Sequence, residues 1–546
     1  MAYDDVLAVA SGSAPRWLAF AGVDCPSMSE LSLPARNVYR EWPLHLKEKA
    51  IGRVGASQRQ SILGLSYIHE SLHATCEAAF RWLHDASLYE HLLDRAASMG
   101  WTFRTDGHAA FTRDEMLEME RLGKLCPDPT PLLRGFSMSC FAHPELQKFR
   151  RRIIMETYFN DILRAEDLGE KIKLPSRQDI RDAVVAATLT ARALGLSRCS
   201  LISLDVAACF DQYRLEPDVQ RFYRVAAGVC SGVLTMGTRI ACLIVQACNE
   251  LLADFHHPCV EVFVYIDNFY LVGASPADVK AATLELIHRI RSSNILLNNL
   301  PDGGDALALV EQLLSADVVE VLGEVLDLRC CTAALTSGTK EKLLVARSLL
   351  DLAHLPVRSA CAVFGVLLYA SSVVGVSPGD PCKAVDAFRA ASAFGASKGW
   401  SSSSVGSFSA VSAAVTLAWM QAVETAPPFC FLDAAQRSAH PVDCELTIDA
   451  SAYGIGAVVY WKGRTSFHSI PWSPAEHAVL AGSSYASTKT EPCASVRAIL
   501  ACAPPAARHI LLRTDHLGLV LSSRARLHRL TTKPSAAFAR PVQTCW

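Results

Sequence analysis

Two carboxylates stand where their neighbours would exclude them. Residues 263–272 read Phe-Val-Tyr-Ile-Asp-Asn-Phe-Tyr-Leu-Val, an apolar strand-type run broken only by Asp267 and Asn268. A charge inside such a run costs on the order of several kcal/mol unless a partner neutralises it, and a cation is the simplest partner. Upstream, residues 201–206 repeat the pattern as Leu-Ile-Ser-Leu-Asp-Val, with Asp205 ending a second apolar strand. Two strands that each deliver a carboxylate to one point form a site for hard divalent cations, Mg2+ or Mn2+.

The elements around the pair follow from apolar periodicity and turn residues. Helical spacing from Ser61 to Met119 predicts a helical N-terminal module, and Pro127, Pro129 and Pro131 punctuate a linker after it. Residues 147–160 read as a basic turn entering a strand. The pattern then predicts a helix over 176–195, a strand over 200–206, helices over 218–227 and 238–255, and strands over 260–266 and 269–273. Gly303-Gly304 mark a turn before strands near 318–328, and long helices fill 340–370 and 405–422. Pro427-Pro428 end that region, and a new α/β pattern starts near Cys444. The chain carries no internal repeat.

At 546 residues the chain should hold roughly three or four domains of about 100–200 residues each. It is 51% hydrophobic and 19% charged, which suits large cores and not disorder. A net charge of −2 gives no global field toward nucleic acid, so any polyanion contact needs local basic patches. The 19 cysteines form no Cys-x-x-Cys pair, which argues against zinc knuckles and a disulfide scaffold. The acidic start, Met1-Ala2-Tyr3-Asp4-Asp5, is unlike a secretory signal, so an intracellular location in cytoplasm or nucleus is expected. The uncharged runs 359–378 and 401–423 read as buried helices, not membrane spans.

In order and spacing, residues 145–345 resemble the reverse transcriptases of retroelements. Residues 203–210, Ser-Leu-Asp-Val-Ala-Ala-Cys-Phe, look like their first palm motif. Leu234-Thr235-Met236-Gly237 through Ala241 to Gln246 is similar to the second, and Tyr265-Ile266-Asp267-Asn268 resembles the Tyr-x-Asp-Asp box. Lys148 to Arg152 with Asn160 looks like the fingers strand, and Val321-Leu322-Gly323 like the primer-grip hairpin. The resemblance implies a right-hand polymerase that copies an RNA template from a DNA or RNA primer with deoxynucleoside triphosphates. It makes Asp205 and Asp267 ligands of two metal ions, with the Val206 carbonyl near one, and gives Arg151 and Arg152 the triphosphate. Phe210 takes the position that excludes a 2′-hydroxyl, while Met236 and Gly237 line the base or template side, where a glycine lets backbone approach a flat substrate. Asn268 departs from the box by removing one charge. Thr235 and Cys242 replace prolines of the second motif, which should loosen the helix entry.

A second constellation follows. Residues 446–460 read as strand, tight glycine turn and strand, with Asp449 inside the first; Glu491 opens a helix and Asp515 ends a strand. This order is similar to ribonuclease H, and the resemblance implies that Asp449, Glu491 and Asp515 bind two metals that direct water onto the RNA of an RNA-DNA hybrid. No Asp or Glu follows Asp515, so the domain should be truncated or use His528 or another group for the missing acid. The tail carries Arg524, Arg526, Arg529, Lys533 and Arg540, a phosphate-binding patch or a solvated end.

The whole reads as α/β (α+β): a helical region of unknown role (1–130), fingers and palm (131–345), a helical thumb and connection (346–435) and a ribonuclease H-like domain (440–546). This order is similar to that of retroviruses, long-terminal-repeat elements and tyrosine-recombinase retrotransposons. No protease motif or zinc-bearing integrase segment is seen, and the Tyr-x-Asp-Asn variant leans toward the VIPER-like members of the last group. Two alternatives stand beside the polymerase. One is a degenerate, non-catalytic nucleic-acid-binding descendant, motivated by Asn268. The other is a zinc peptidase through His69-Glu70-Ser71-Leu72-His73, whose two histidines would share a helix face.

Overall fold

The computed structural model describes residues 42–46, 50–65, 70–100, 112–128, 138–145, 150–169, 174–226, 228–350, 357–376, 410–432, 444–451, 453–474, 494–495, 497–504, 507 and 510–513. It is a mixed α/β chain that divides into two compact units, Met1–Cys331 and Thr332–Trp546. Among the described residues no helix is long and apolar enough to cross a membrane.

The first unit begins with helices α1 (Ala56–Leu63), α2 (Glu70–His84), α3 (Ala86–Ser98) and α4 (Arg113–Arg121). After the short strand β1 (Leu125–Pro127), β2 (Met138–Glu145) and β3 (Arg150–Thr157) pair antiparallel. Helix α5 (Arg177–Ala193) starts at a capping box in which Ser176 and Asp179 serve each other's backbone N–H. Strand β4 (Ser200–Asp205) follows, then short helix α6 (Pro217–Gln220) and the strands β5 (Arg224–Ala226) and β6 (Val229–Ser231). The helix expected over 218–227 therefore stops after one turn. Over so short a run the buried Val219, Phe222, Tyr223 and Val225 fit either period.

Helix α7 (Arg239–Leu252) leads to β7 (Val260–Tyr265) and β8 (Asn268–Gly273), which with β4 form an antiparallel sheet in the order β4-β8-β7. Helices α8 (Pro276–Ser292) and α9 (Ala306–Ser315), neither anticipated from the sequence, precede the hairpin β9 (Val318–Val321) and β10 (Glu324–Asp327). Alternation along β4, β8 and β7 sends Leu204, Phe269 and Val264 into an apolar core with Ile244 of α7 and Leu286 of α8. The same core takes in Val54, Ile62, Phe80, Leu83, Tyr89 and Leu92. The described helices of residues 1–130 thus share one core with the sheet-bearing part and fall in the same unit.

In the second unit β11 (Thr332–Leu335) pairs with β12 (Phe429–Cys430), and between them run helices α10 (Ser337–Leu350), α11 (Val357–Val374) and α12 (Ala410–Glu424). The unit boundary at Cys331 lies ahead of the expected one at 345, since β11 already belongs to the helical region. Strands β13 (Cys444–Ala450), β14 (Gly454–Trp461), β15 (Arg464–Pro471) and β16 (Ile510–Arg513) form a sheet in the order β15-β14-β13-β16. Only the β13–β16 pair is parallel, as its crossover, helical where described over 494–502, requires.

One buried ion pair ties α5 to the β9–β10 hairpin. Glu324 is fully buried and accepts both guanidinium arms of Arg181, the Nε arm at 3.0 Å, with Arg177 Nη1 at 3.7 Å. Removing one partner of such a pair strands a buried charge, whereas replacing both with apolar groups does not. Glu324→Leu should therefore cost about 3–5 kcal/mol in urea unfolding, and the double change Arg181→Leu/Glu324→Leu should recover most of it. Equal losses in both would contradict this reading.

Candidate functional site

Asp267 lies not within a strand but at the tip of the β7–β8 hairpin. Tyr265 pairs with Asn268, so Ile266 and Asp267 form a two-residue turn. Such turns favour Asn and Gly because they need positive φ, yet here Ile266 has φ 53°. A β-branched residue in this region stores about 1–3 kcal/mol and persists only when its surroundings over-determine it. Helix α7 does so. The Ile266 N–H donates to Gln246 Oε1 at 2.6 Å, and its carbonyl accepts from Asn249 Nδ2 at 2.6 Å. Gln246 Nε2 also donates to the Val264 carbonyl at 3.0 Å.

From the other side the Val206 N–H donates to the Asp267 carbonyl at 2.8 Å, joining the turn to the end of β4. Asp205 is in register with Asn268, so both carboxylates stand at one end of the three-stranded sheet. Residues 296–298 close the opposite flank, with Ala207 N–H on the Leu296 carbonyl at 2.9 Å and Asn298 N–H on the Asp205 carbonyl at 2.8 Å. Each acid receives a carboxamide: Asn298 Nδ2 donates to Asp205, and Asn268 Nδ2 donates to Asp267 at 2.8 Å. Burial first, and then the charge of Asp205, push the Asp267 carboxyl above its ordinary range, against a smaller pull from Arg152. Burial first, and then the Asp267 carboxylate, push the Cys209 and Cys242 thiols above their ordinary range.

The expected nucleotide-binding residues divide. Arg152 is half-buried and its charge reaches Asp267. Arg151, on the opposite face of β3, is 1% exposed, pairs with Glu115 and donates to the Trp42 carbonyl at 3.0 Å. Its guanidinium is engaged by these buried partners. Phe210 sits half-buried in the 3-10 turn Cys209–Gln212 just beyond Asp205. Gly237, at φ 105°, approaches protein backbone and not a flat substrate: a Cβ there would lie 3.1 Å from the Met155 carbonyl oxygen and 3.3 Å from Glu156 Cα. The 236–239 turn is pinned to β3 and the turn after it by Met155 N–H on the Met236 carbonyl at 3.0 Å and by Asn160, which bonds the Gly237 carbonyl at 2.7 Å. Nor is the entry to α7 loosened. The buried Thr235 hydroxyl pairs with that of Thr238 at 2.7 Å.

On the open face of the sheet Tyr265 and Phe263 follow the carboxylates. Tyr270 lies on that face too, buried, with its phenol pushed up to about 12 by burial and accepting the Leu322 N–H of the β9–β10 turn at 3.4 Å.

Two acids, the Val206 carbonyl and the Asn268 side chain are the donors on hand for a cation. Among the described residues no three His, Cys, Asp or Glu side chains converge. That set suits Mg2+ or Mn2+, which take one or two carboxylates and complete their shells with water and phosphate oxygens.

In the second unit Asp449 is exposed on β13, whose alternate residues Leu446 and Ile448 are buried, so its charge is solvated. Glu491 and Asp515 lie outside the described residues, as do His528, the basic tail and His69. Glu70 is exposed at the start of α2 and His73 is half-buried.

No family model matches the sequence, and no curated protein matches it. Solved structures do. The chain is similar to a foamy viral protease-reverse transcriptase (dRH) in complex with double-stranded DNA, at 10% identity over 89% of this chain and 81% of that one, with a TM-score of 0.40. It is also similar to a foamy viral protease-reverse transcriptase with double-stranded DNA (11% identity, 90% and 97% covered, TM-score 0.39) and with an RNA/DNA hybrid (11%, 89% and 64% covered, TM-score 0.39). The functional reading rests on the residues of the site and not on these likenesses.

Folding raises the Asp267 pKa, so the folded chain binds that proton more tightly than the unfolded chain. Stability from this group is fully present below the unfolded pKa and falls as pH rises through the folded one. At neutral pH its ionised form is a standing cost that a bound cation would offset. In chelator at pH 7, Asp267→Asn should raise the melting temperature and abolish stabilisation by Mn2+. A lowered melting temperature with Mn2+ stabilisation intact would contradict the site.

Proposed function

We propose that the first unit is an RNA-directed DNA polymerase of retrotransposon type. It would extend a DNA or RNA primer along an RNA template with deoxynucleoside triphosphates. The observation that carries the reading is the convergence of Asp205 and Asp267, from β4 and the β7–β8 turn, at one end of the sheet. A pair of Mg2+ or Mn2+ ions, when bound, eases deprotonation of the primer 3′-hydroxyl and neutralises charge on the leaving pyrophosphate. Asp205 and Asp267 supply hard oxygen donors, aided by the Val206 carbonyl. The Arg152 guanidinium suits triphosphate oxygens. The Phe210 ring would exclude a 2′-hydroxyl, and Met236 would line the pocket held in position by Gly237.

We further propose that residues 444–513 belong to a ribonuclease H-like domain acting on an RNA-DNA hybrid. Its support is the order β15-β14-β13-β16 with one parallel pair, and Asp449 on the solvated face of β13. Asp449, Glu491 and Asp515 would hold its metals. A non-catalytic nucleic-acid-binding descendant is the second reading, favoured by Asn268, whose amide binds the acid it should supplement.

Primer extension on an RNA template with Mg2+ or Mn2+ separates the two. The polymerase reading expects extension by wild type and a loss of at least about 1,000-fold in Asp205→Ala. Binding of primer-template with no extension by either protein would favour the descendant. Phe210→Ala should lower discrimination against ribonucleotides by about ten- to a hundred-fold, and unchanged discrimination would remove Phe210 from its role.

A further inference from the structure

We infer that Asn249 is a positioning residue for Asp267: it holds the carbonyl of the strained Ile266 so that the next residue presents its carboxylate beside Asp205. The inference rests on the nucleotidyl-transfer reading and adds a residue outside the motifs that carry it.

Asn249 lies on α7 three residues after Gln246, so the two carboxamides share one helix face. Both reach the same residue, on the two peptides that flank its Cα: Gln246 takes the Ile266 N–H and Asn249 serves the Ile266 carbonyl, each at 2.6 Å. Asn249 is fully buried, and its Oδ1 has no hydrogen-bond partner, with the Cys209 thiol beside the carboxamide. A buried polar side chain left half-satisfied adds little stability, and an apolar one of similar size would fill the space as well. Its polarity therefore serves the turn. With Gln246 alone only the Tyr265–Ile266 peptide is held, and the Ile266–Asp267 peptide can rotate about the Ile266 N–Cα bond toward the negative φ that isoleucine prefers, swinging Asp267 away from Asp205.

The test uses the full chain with Asn249→Leu. The expected result is a melting temperature within a few degrees of wild type, a maximal single-turnover incorporation rate lowered about ten-fold or more, and a nucleotide half-saturation that moves far less. Mn2+ affinity, read by electron paramagnetic resonance without nucleic acid, should weaken about ten-fold. Ile266→Gly, which takes φ 53° without strain, should restore part of both losses when added to Asn249→Leu. Should Asn249→Leu fail to fold, Asn249→Ala carries the same expectations. A folded variant with unchanged rate and Mn2+ affinity would overturn the inference, as would losses that only follow the fall in melting temperature. Mn2+ binding by wild type that weakens in Asn249→Leu, with no primer extension by wild type, would keep the clamp and overturn the polymerase.

Discussion

Like charges held side by side at the edge of an apolar sheet are the constraint on which the first unit is organised. Asp205 and Asp267 repel each other, and burial already disfavours ionised Asp267. Left to itself, the chain would relieve this by letting the hairpin tip swing out. It is prevented by hydrogen bonds from three directions: α7 on Ile266, Val206 on the Asp267 carbonyl, and Asn298 on Asp205. A site that holds repulsion in place is preorganised for a cation, because the cost of assembling the donors is met by folding and not by binding.

The rest of the unit makes that hold rigid. Helix α7 can grip the turn because its opposite face is locked into the core against α2, and because its start is fastened to β3 through Asn160 and Gly237. The β9–β10 hairpin meets the open face of the sheet through Tyr270 and is anchored behind by the Arg181–Glu324 pair. The N-terminal helices, β3 and the β4-β8-β7 sheet therefore form one packed body. That is why the N-terminal region has no boundary of its own near residue 130.

What the sequence made legible follows from which signals are local. Alternation in 200–206 and 260–273 located the sheet and both acids to within a residue, and the 446–460 pattern located β13 and β14. Local period also misled: Val219, Phe222 and Val225 imitate a helix where one turn and a strand occur. Motif position cannot tell which side of β3 a side chain faces, or what a glycine packs against: Arg151 is buried beside Glu115, and Gly237 lies against Met155 and Glu156. Asn298 carried no signal at all, since it meets Asp205 across 93 positions of chain. Asn249 had one: it follows Gln246 at i+3 on a helix that the pattern already predicted. Asp449 looked costly inside an apolar run, yet a period of two leaves it on the wet face.

The central claim is that Asp205 and Asp267 act as one cation site and not as two independent acids. Mn2+ binding to wild type, Asp205→Asn, Asp267→Asn and the double variant measures this directly. A shared site predicts that either single change removes nearly as much affinity as both together. Losses that simply add, with each single variant keeping its own Mn2+, would contradict it.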